Sequence, residues 1–169
     1  MLTGFPPVLR ADSVAIVLGS FPSVASLEAG HYYAHPRNAF WPIVADALDL
    51  PGLAGLDFND RYARVLDARL GVWDVIGACQ RKGSLDTAIR AAQPNAITSL
   101  RRLAPALRWV LFNGKTAARS EPDFVSAGYR TIVLPSTSPA HAGMTFDEKR
   151  RRWRLALRAA LGADEGGQA

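Results

Sequence analysis

Three short stretches of this chain hold most of the side chains capable of chemistry. Residues 19–23 read GSFPS. Gly19 permits backbone angles closed to other residues, and Pro22 stiffens the turn. Such a turn can aim backbone N–H groups at a ligand oxygen, or it can simply leave a strand. Residues 30–41 read GHYYAHPRNAFW. Surface loops seldom carry aromatics at this density unless the rings bind something. Tyr32 or Tyr33 could stack on a flat base. Asn38 could offer its amide to a base edge or a water. It also stands where an N-cap would precede a helix opening near Phe40, with Pro42 in the first turn. Both roles are open for Asn38 at this level, while Phe40 and Trp41 read as core. Residues 134–143 read LPSTSPAHAG. Their hydroxyls and amides suit phosphates, and His141 could reach a reacting centre; the plainer reading is a surface turn with a solvated histidine.

Other chemistries fit less well. His31, His35 and His141 could be offered as zinc ligands, but Pro36 interrupts the helix that the first two would need, and no HExxH is present. Ser136 or Ser138 with His141 lacks the G-x-S-x-G elbow of a serine hydrolase. Lys115 is the nearest candidate for Schiff-base chemistry and reads as a surface lysine at a helix start. Cys79 is the one cysteine, so neither a disulfide framework nor a four-cysteine cluster is available.

The elements that must position these stretches follow from hydrophobic patterning. Residues 13–18 (SVAIVL), 109–112 (WVLF) and 131–134 (TIVL) are short β-branched runs of the buried parallel type, and residues 71–76 (GVWDVI) form a fourth. Helical patterns lie between them at 40–48, 61–70, 96–103 and 115–119. A last helix opens on a capping box of Thr145 and Glu148. It buries Trp153, Ala156, Leu157, Ala160 and Leu161 and turns Arg151, Arg152, Arg154 and Arg158 outward. Strands alternating with helices predict an α/β three-layer sandwich with a central, mainly parallel four-stranded sheet. Ligands in such sheets bind beyond the carboxyl ends of the strands. Residues 19–23, 113–116 and 135–142 each follow a strand end, so the fold gathers them.

The 169 residues suit one domain, residues 1–169, with a flexible tail at 162–169. The formal net charge is +5, carried mostly by arginine, which favours an anionic partner. The N-terminus lacks a signal-peptide core, and no apolar run approaches membrane-spanning length. A cytoplasmic monomer with no membrane association is expected.

Taken together the three motifs resemble the uracil-DNA glycosylase superfamily, and within it the hypoxanthine (deoxyinosine) DNA glycosylases. The pattern is a strand ending G-[ST]-F-P, then YYAHPRNAFW, then LPSTSPA, in order over residues 14–157. Mismatch-specific uracil glycosylases are similar in an H-P-x-N-x-F-W stretch, matched by His35, Pro36, Asn38, Phe40 and Trp41. That branch has an asparagine in the first motif that positions the attacking water, where Phe21 stands here. The resemblance to the hypoxanthine branch implies that Asn38 takes that role. It further implies a base pocket from Gly19, Ser20, Phe21, Pro22, Tyr33, His35 and Asn113. DNA contacts are implied from Arg37, Ser136, Thr137, Ser138 and His141, although an asparagine is the expected residue at 141.

The implied fold is uracil-DNA glycosylase-like. The implied activity is monofunctional, hydrolytic excision of a flipped deaminated base, hypoxanthine or uracil, from DNA, with no metal and no organic cofactor. Arginines near the C-terminus are further phosphate candidates, though a solvated face is the preferred reading for that helix. A non-catalytic nucleic-acid-binding module and a hydrolase of a free nucleoside are the rival expectations.

Overall fold

The structure is a computed structural model and describes residues 1–162. In chain order the elements are β1 (Leu2–Thr3), β2 (Ala15–Gly19), α1 (Val24–Ala29), α2 (Phe40–Ala47), α3 (Phe58–Asp67), β3 (Leu70–Asp74), β4 (Ile76–Gln80), β5 (Arg90–Pro94), α4 (Ile97–Leu103), β6 (Trp109–Asn113), α5 (Lys115–Ala118), α6 (Glu121–Ser126), β7 (Arg130–Leu134) and α7 (Phe146–Gly162). Gly162 therefore closes a helix, and the rest of the expected flexible tail, residues 163–169, lies outside the described residues.

Four strands form a wholly parallel sheet in the order β3-β2-β6-β7. Every residue of β2 and β3 is buried. Strands buried on both faces must be apolar throughout, which is why AIVL and WVLF stand out in the sequence without alternation. Parallel pairing also places Gly19, Asp74, Asn113 and Leu134 along one edge, each the last residue of its strand.

A second, smaller sheet departs from expectation. β1, β4 and β5 form an antiparallel sheet in the order β1-β4-β5. The expected strand at 71–76 is in fact two: β3 stops at Asp74, and the chain re-pairs from Ile76 as β4. The backbone N–H of Val75 donates to the carbonyl of Gly19 at 2.8 Å, and that of Ile76 to Ser20 at 3.1 Å. These bonds lead the chain out of one sheet beside the first motif. β5 is exposed throughout (RAAQP), so it carries no hydrophobic periodicity to find.

Helix α3 likewise begins and ends earlier than its pattern suggests, with Leu70 opening β3 instead of closing the helix. Arg69 adopts a left-handed backbone (φ 65°), which stops the helix and turns the chain into the sheet. At the other end of the fold, Thr145 Oγ1 accepts from the N–H of Glu148 at 3.2 Å, the first half of the expected box. Trp153, Ala156, Leu157 and Ala160 are buried as expected, and α7 packs on α2, with Trp153 edge-on to Phe40 at 6.2 Å.

Candidate active site

The centre of the strand-end edge is Asn113. Its side chain uses both ends: Nδ2 donates to Tyr33 Oη at 3.1 Å and to Thr137 Oγ1 at 3.0 Å, while Oδ1 accepts from the N–H of Thr137 at 3.0 Å. One amide thus clamps the second motif to the third. Thr137 is 1% exposed, so these bonds lie out of competition with water. Gly114 follows with φ 95°, and a Cβ there would meet Ser136 Cβ at 3.1 Å. Only glycine lets β6 leave the sheet this close to the third motif.

Tyr33 is held in an unusual state. Its backbone is left-handed at φ 54°, and its ring stacks on Phe40 with centroids 4.0 Å apart and planes 21° from parallel. A non-glycine residue in that region carries strain that surrounding contacts must hold, a pattern that clusters at working sites. Burial, and then the neighbouring Asp74, push its phenol well above the ordinary tyrosine range, so it stays neutral. Tyr32 is buried differently: its hydroxyl donates to the carbonyl of Pro6 at 2.8 Å. Of the two tyrosines weighed for stacking, Tyr33 is the one on the site, with one ring face already given to Phe40.

Asn38 lies on the same lip. Its Oδ1 accepts from the N–H of Phe40 at 2.9 Å, an Asx-type turn two residues long; the N-cap of α2 is Ala39 and not Asn38, as the helix opens one residue later than a cap at 38 would require. The next residue ties the lip to the third motif, the N–H of Ala39 donating to the carbonyl of Thr137 at 3.0 Å. That bond occupies one oxygen lone pair and leaves the Nδ2 donors for another partner. His35 stands nearby with Nδ1 accepting from the N–H of Arg37 at 3.1 Å, which makes Nε2 the protonated nitrogen. The Arg37 side chain is exposed.

The first motif forms the facing wall. Ser20 Oγ donates to Asp86 Oδ1 at 2.7 Å, Phe21 is buried, and the carbonyl of Pro22 accepts from Arg81. The Arg81 guanidinium sits over the Phe21 ring, 5.2 Å from its centroid. In the third motif, Ser136 Oγ accepts from the N–H of Ser138, and Ser138 Oγ from that of Ala140. Both hydroxyls therefore shape their own turn, and neither bonds to His141 among the described residues. The His141 carbonyl accepts from the buried Lys149 Nζ at 2.7 Å, which fastens this loop to α7.

Residues placed elsewhere are as informative. His31 stacks flat on Phe58 at 4.5 Å and is engaged with Tyr62, so it belongs to an aromatic cluster. The arginines of α7 are largely committed: Arg154 pairs with Asp46 at 3.1 Å, Arg150 with Asp46 at 3.4 Å, and Arg158 with Asp49 at 3.1 Å. Their positions, one turn apart, lace α7 to the end of α2. Lys115 is an exposed residue at the start of α5.

The sequence reading passed over Asp74, Arg81 and Asp86. Asp74 is only 5% exposed at the end of β3. Burial, and secondarily the charge of Asp86, push its carboxyl up to about 7, against the opposing pull of Arg81. The signal was present: a lone acid inside an apolar strand run, at the carboxyl end of a parallel strand. Beside it a groove of about 560 Å³ is lined by Val75, Ile76, Asp86, Arg90, Thr116 and Arg119, among others, which brings two arginines to this edge of the sheet.

Known proteins share this arrangement. The chain matches the family model described as the uracil DNA glycosylase superfamily over residues 6–162. It is 36% identical over 138 residues to a protein of Methanosarcina barkeri named hypoxanthine DNA glycosylase, spanning 82% of this chain and 87% of that one. A protein of the same name from Methanosarcina acetivorans is 37% identical over 138 residues, with the same coverage. The solution NMR structure of a Methanosarcina acetivorans protein, described as a candidate uracil DNA glycosylase, superposes with a TM-score of 0.84 at 34% identity, covering 94% of this chain and 97% of that one. With the parallel sheet, the clamped strand-end loops and these relatives in agreement, the chain belongs to the uracil DNA glycosylase superfamily.

Proposed function

We propose that this DNA glycosylase flips a deaminated base, hypoxanthine or uracil, out of DNA and hydrolyses its N-glycosidic bond without forming a covalent enzyme intermediate. The observation that carries the reading is the clamp of Asn113 on Tyr33 and Thr137. It ties the second motif loop to the third at the strand-end edge where β2 delivers the first, and the N–H of Ala39, next to Asn38, donates to Thr137. The two relatives named for hypoxanthine excision support the choice of base.

The base cannot be reached inside a stacked duplex, so it must swing out, at an unstacking cost of a few kcal/mol that is lowest for a mispaired base. As the C1′–N bond breaks, its electron pair leaves with the base and positive charge builds on the sugar. A water then adds to C1′ and releases a proton. Asn38 is assigned the placing of that water through its amide. The backbone N–H groups of Ser20 and Phe21 are assigned to the departing base, where preorganised dipoles act most strongly. Tyr33 and Phe21 bound the base, and His35 completes the pocket rim. Arg37, Ser136, Thr137, Ser138 and His141 are assigned to the DNA strand around it, the threonine and serines through the turn they build. The chain is taken to work as a cytoplasmic monomer.

The test is incubation with labelled duplexes carrying one deoxyinosine or one deoxyuridine, in chelator, with abasic sites read after alkali. Release of either base supports the proposal and ranks the two. A folded protein that binds these duplexes and releases neither overturns it.

A further inference from the structure

Taking a base out of the duplex leaves a hole that the stack refills by taking the base back. Proteins that open base steps hold them with an apolar side chain, leucine among them, inserted from the surface. The large apolar residues of the motifs, Phe21, Phe40 and Trp41, are buried and unavailable for this. The third motif exposes Pro139 and Ala140, whose side chains stay close to the backbone.

The loop between β4 and β5 carries a longer one. Leu85 is 59% exposed. The residues on either side of it are fastened to the first motif and the helix that follows. Ser84 Oγ accepts from the N–H of Val24 at 2.9 Å, and Asp86 Oδ1 accepts from Ser20 Oγ at 2.7 Å. Arg81, at the root of the same loop, donates to the Pro22 carbonyl. Arg90 Nη1 donates to the carbonyls of Thr87 and Ile89, each at 2.8 Å, across a 3-10 turn at Asp86–Ala88. A side chain that pushes into a stack needs a backbone that holds, and these bonds supply it.

Position separates Leu85 from the other exposed large apolar side chains. Leu103, Val125, Val133 and Leu155 lie within α4, α6, β7 and α7, and Phe146 opens α7. Single apolar residues on such surfaces are ordinary. Val24 adjoins Ser84 but is 39% exposed, and valine is shorter than leucine. Charge around the loop suits a phosphate backbone. Lys82, in the same loop, is exposed, and the groove beside it carries Arg90 and, from just past α5, Arg119. Among the described residues neither Lys82 nor Arg119 is in an ion pair. The acid of the loop, Asp86, is the one bonded to Ser20.

We propose that Leu85 is the wedge of this enzyme, entering the base stack at the place the flipped nucleotide vacates. This rests on the glycosylase reading above and adds an element from outside the three motifs. The isobutyl group replaces the stacking contacts of the departed base, excludes water from the hole and blocks the way back. Anchoring of its loop to Ser20 and Pro22 sets the wedge beside the loop assigned to the flipped base.

The test is single-turnover release of hypoxanthine from two duplexes, one with deoxyinosine opposite cytosine and one with deoxyinosine opposite a pyrene nucleotide. Wild type, Leu85→Ala, Leu85→Met and Phe146→Ala are compared, with the melting temperature of each. Pyrene fills the stack from the opposite strand and so takes over the work of a wedge. Leu85→Ala is expected to melt like wild type, since the side chain it removes is exposed. It should be slower by ~10-fold or more opposite cytosine and return to within ~3-fold of wild type opposite pyrene. Leu85→Met, which keeps a long apolar side chain, should stay within ~3-fold of wild type on both duplexes. Phe146→Ala should match wild type. A Leu85→Ala variant as fast as wild type opposite cytosine, one slowed equally on both duplexes, or a pyrene-rescued loss in Phe146→Ala each overturns the proposal and leaves the glycosylase standing. Absence of excision by wild type overturns both.

Discussion

Asn113 and Tyr33, eighty positions apart in sequence, meet through a hydrogen bond of 3.1 Å from amide to phenol. That bond holds a left-handed tyrosine against Phe40 while the same amide grips Thr137. Replacing Asn113 with Ala is expected to destabilise the fold by about 1–3 kcal/mol, since it orphans partners that lie out of water. Excision should drop as well. Because both residues act through one contact, the Asn113→Ala and Tyr33→Phe effects should be less than additive, as a double-mutant cycle of unfolding free energies would measure.

Asn38 carries two assignments, and substitutions separate them. Asn38→Ala removes both the turn bond to the Phe40 N–H and the amide. It should cost about 1 kcal/mol of stability and ~10²–10³-fold in excision, with duplex affinity nearly intact. Asn38→Asp keeps the oxygen that accepts from Phe40 and loses the Nδ2 donors. It should melt close to wild type yet remain slow. Full activity in either variant would remove Asn38 from the mechanism.

Gly19→Ala tests the convergence at the first motif. The added methyl would lie 2.7 Å from Asp74 Oδ1 and 2.9 Å from Tyr33 Oη. Both are closer than a methyl can approach, so the two side chains must move apart. Excision is expected to fall by ~10-fold or more, through kcat more than KM, because a displacement of about 1 Å at a reacting site is costly. Steady-state kinetics on the deoxyinosine duplex would show it.

Asp74 also makes a statement about stability. Its folded-state pKa, about 7, is raised above that of an ordinary carboxyl. The native state therefore binds its proton more tightly than the unfolded chain does. The resulting stability is fully present below the unfolded pKa, ~4, and is lost as pH rises through about 7. Asp74→Asn has no such dependence. The melting temperature of wild type relative to Asp74→Asn should therefore decline between pH 4 and pH 7. A difference that stays flat across that window would place the carboxyl in an ordinary environment.

Two arginines should behave oppositely. Arg154 is paired with Asp46 and Asp49 at the α2–α7 contact. Its replacement by Ala should cost at most about 1 kcal/mol, less at high salt, and leave DNA affinity alone. Arg37 is exposed on the site lip. Arg37→Ala should weaken binding and flatten the slope of log affinity against log salt by about one unit, through the loss of one phosphate contact. Titrations at several salt concentrations distinguish the two.

Much of this was legible in the chain itself. Buried parallel strands must be apolar on both faces, so β2 and β6 appear as short runs, and the loops that follow them can be named before any coordinates exist; β7 reads the same way but is the edge strand, with Val133 exposed, so its expected burial does not hold. The motifs and their resemblance to glycosylases lie in contiguous residues, and so do the capping bond of Thr145 and the local turn of Asn38. What the tertiary structure decided is everything that depends on pairing across the chain. β4 and β5 have no apolar period, because their stability comes from a partner strand and not from a buried face. The α7 arginines read as a basic face until Asp46 and Asp49 are brought beside them. Asp74 looked like one acid in a strand; its isolation from water and from any donor exists only once β3 lies against β2. Local patterns record what each segment requires of its surroundings, whereas burial, charge pairing and convergence are properties of surroundings that folding alone supplies.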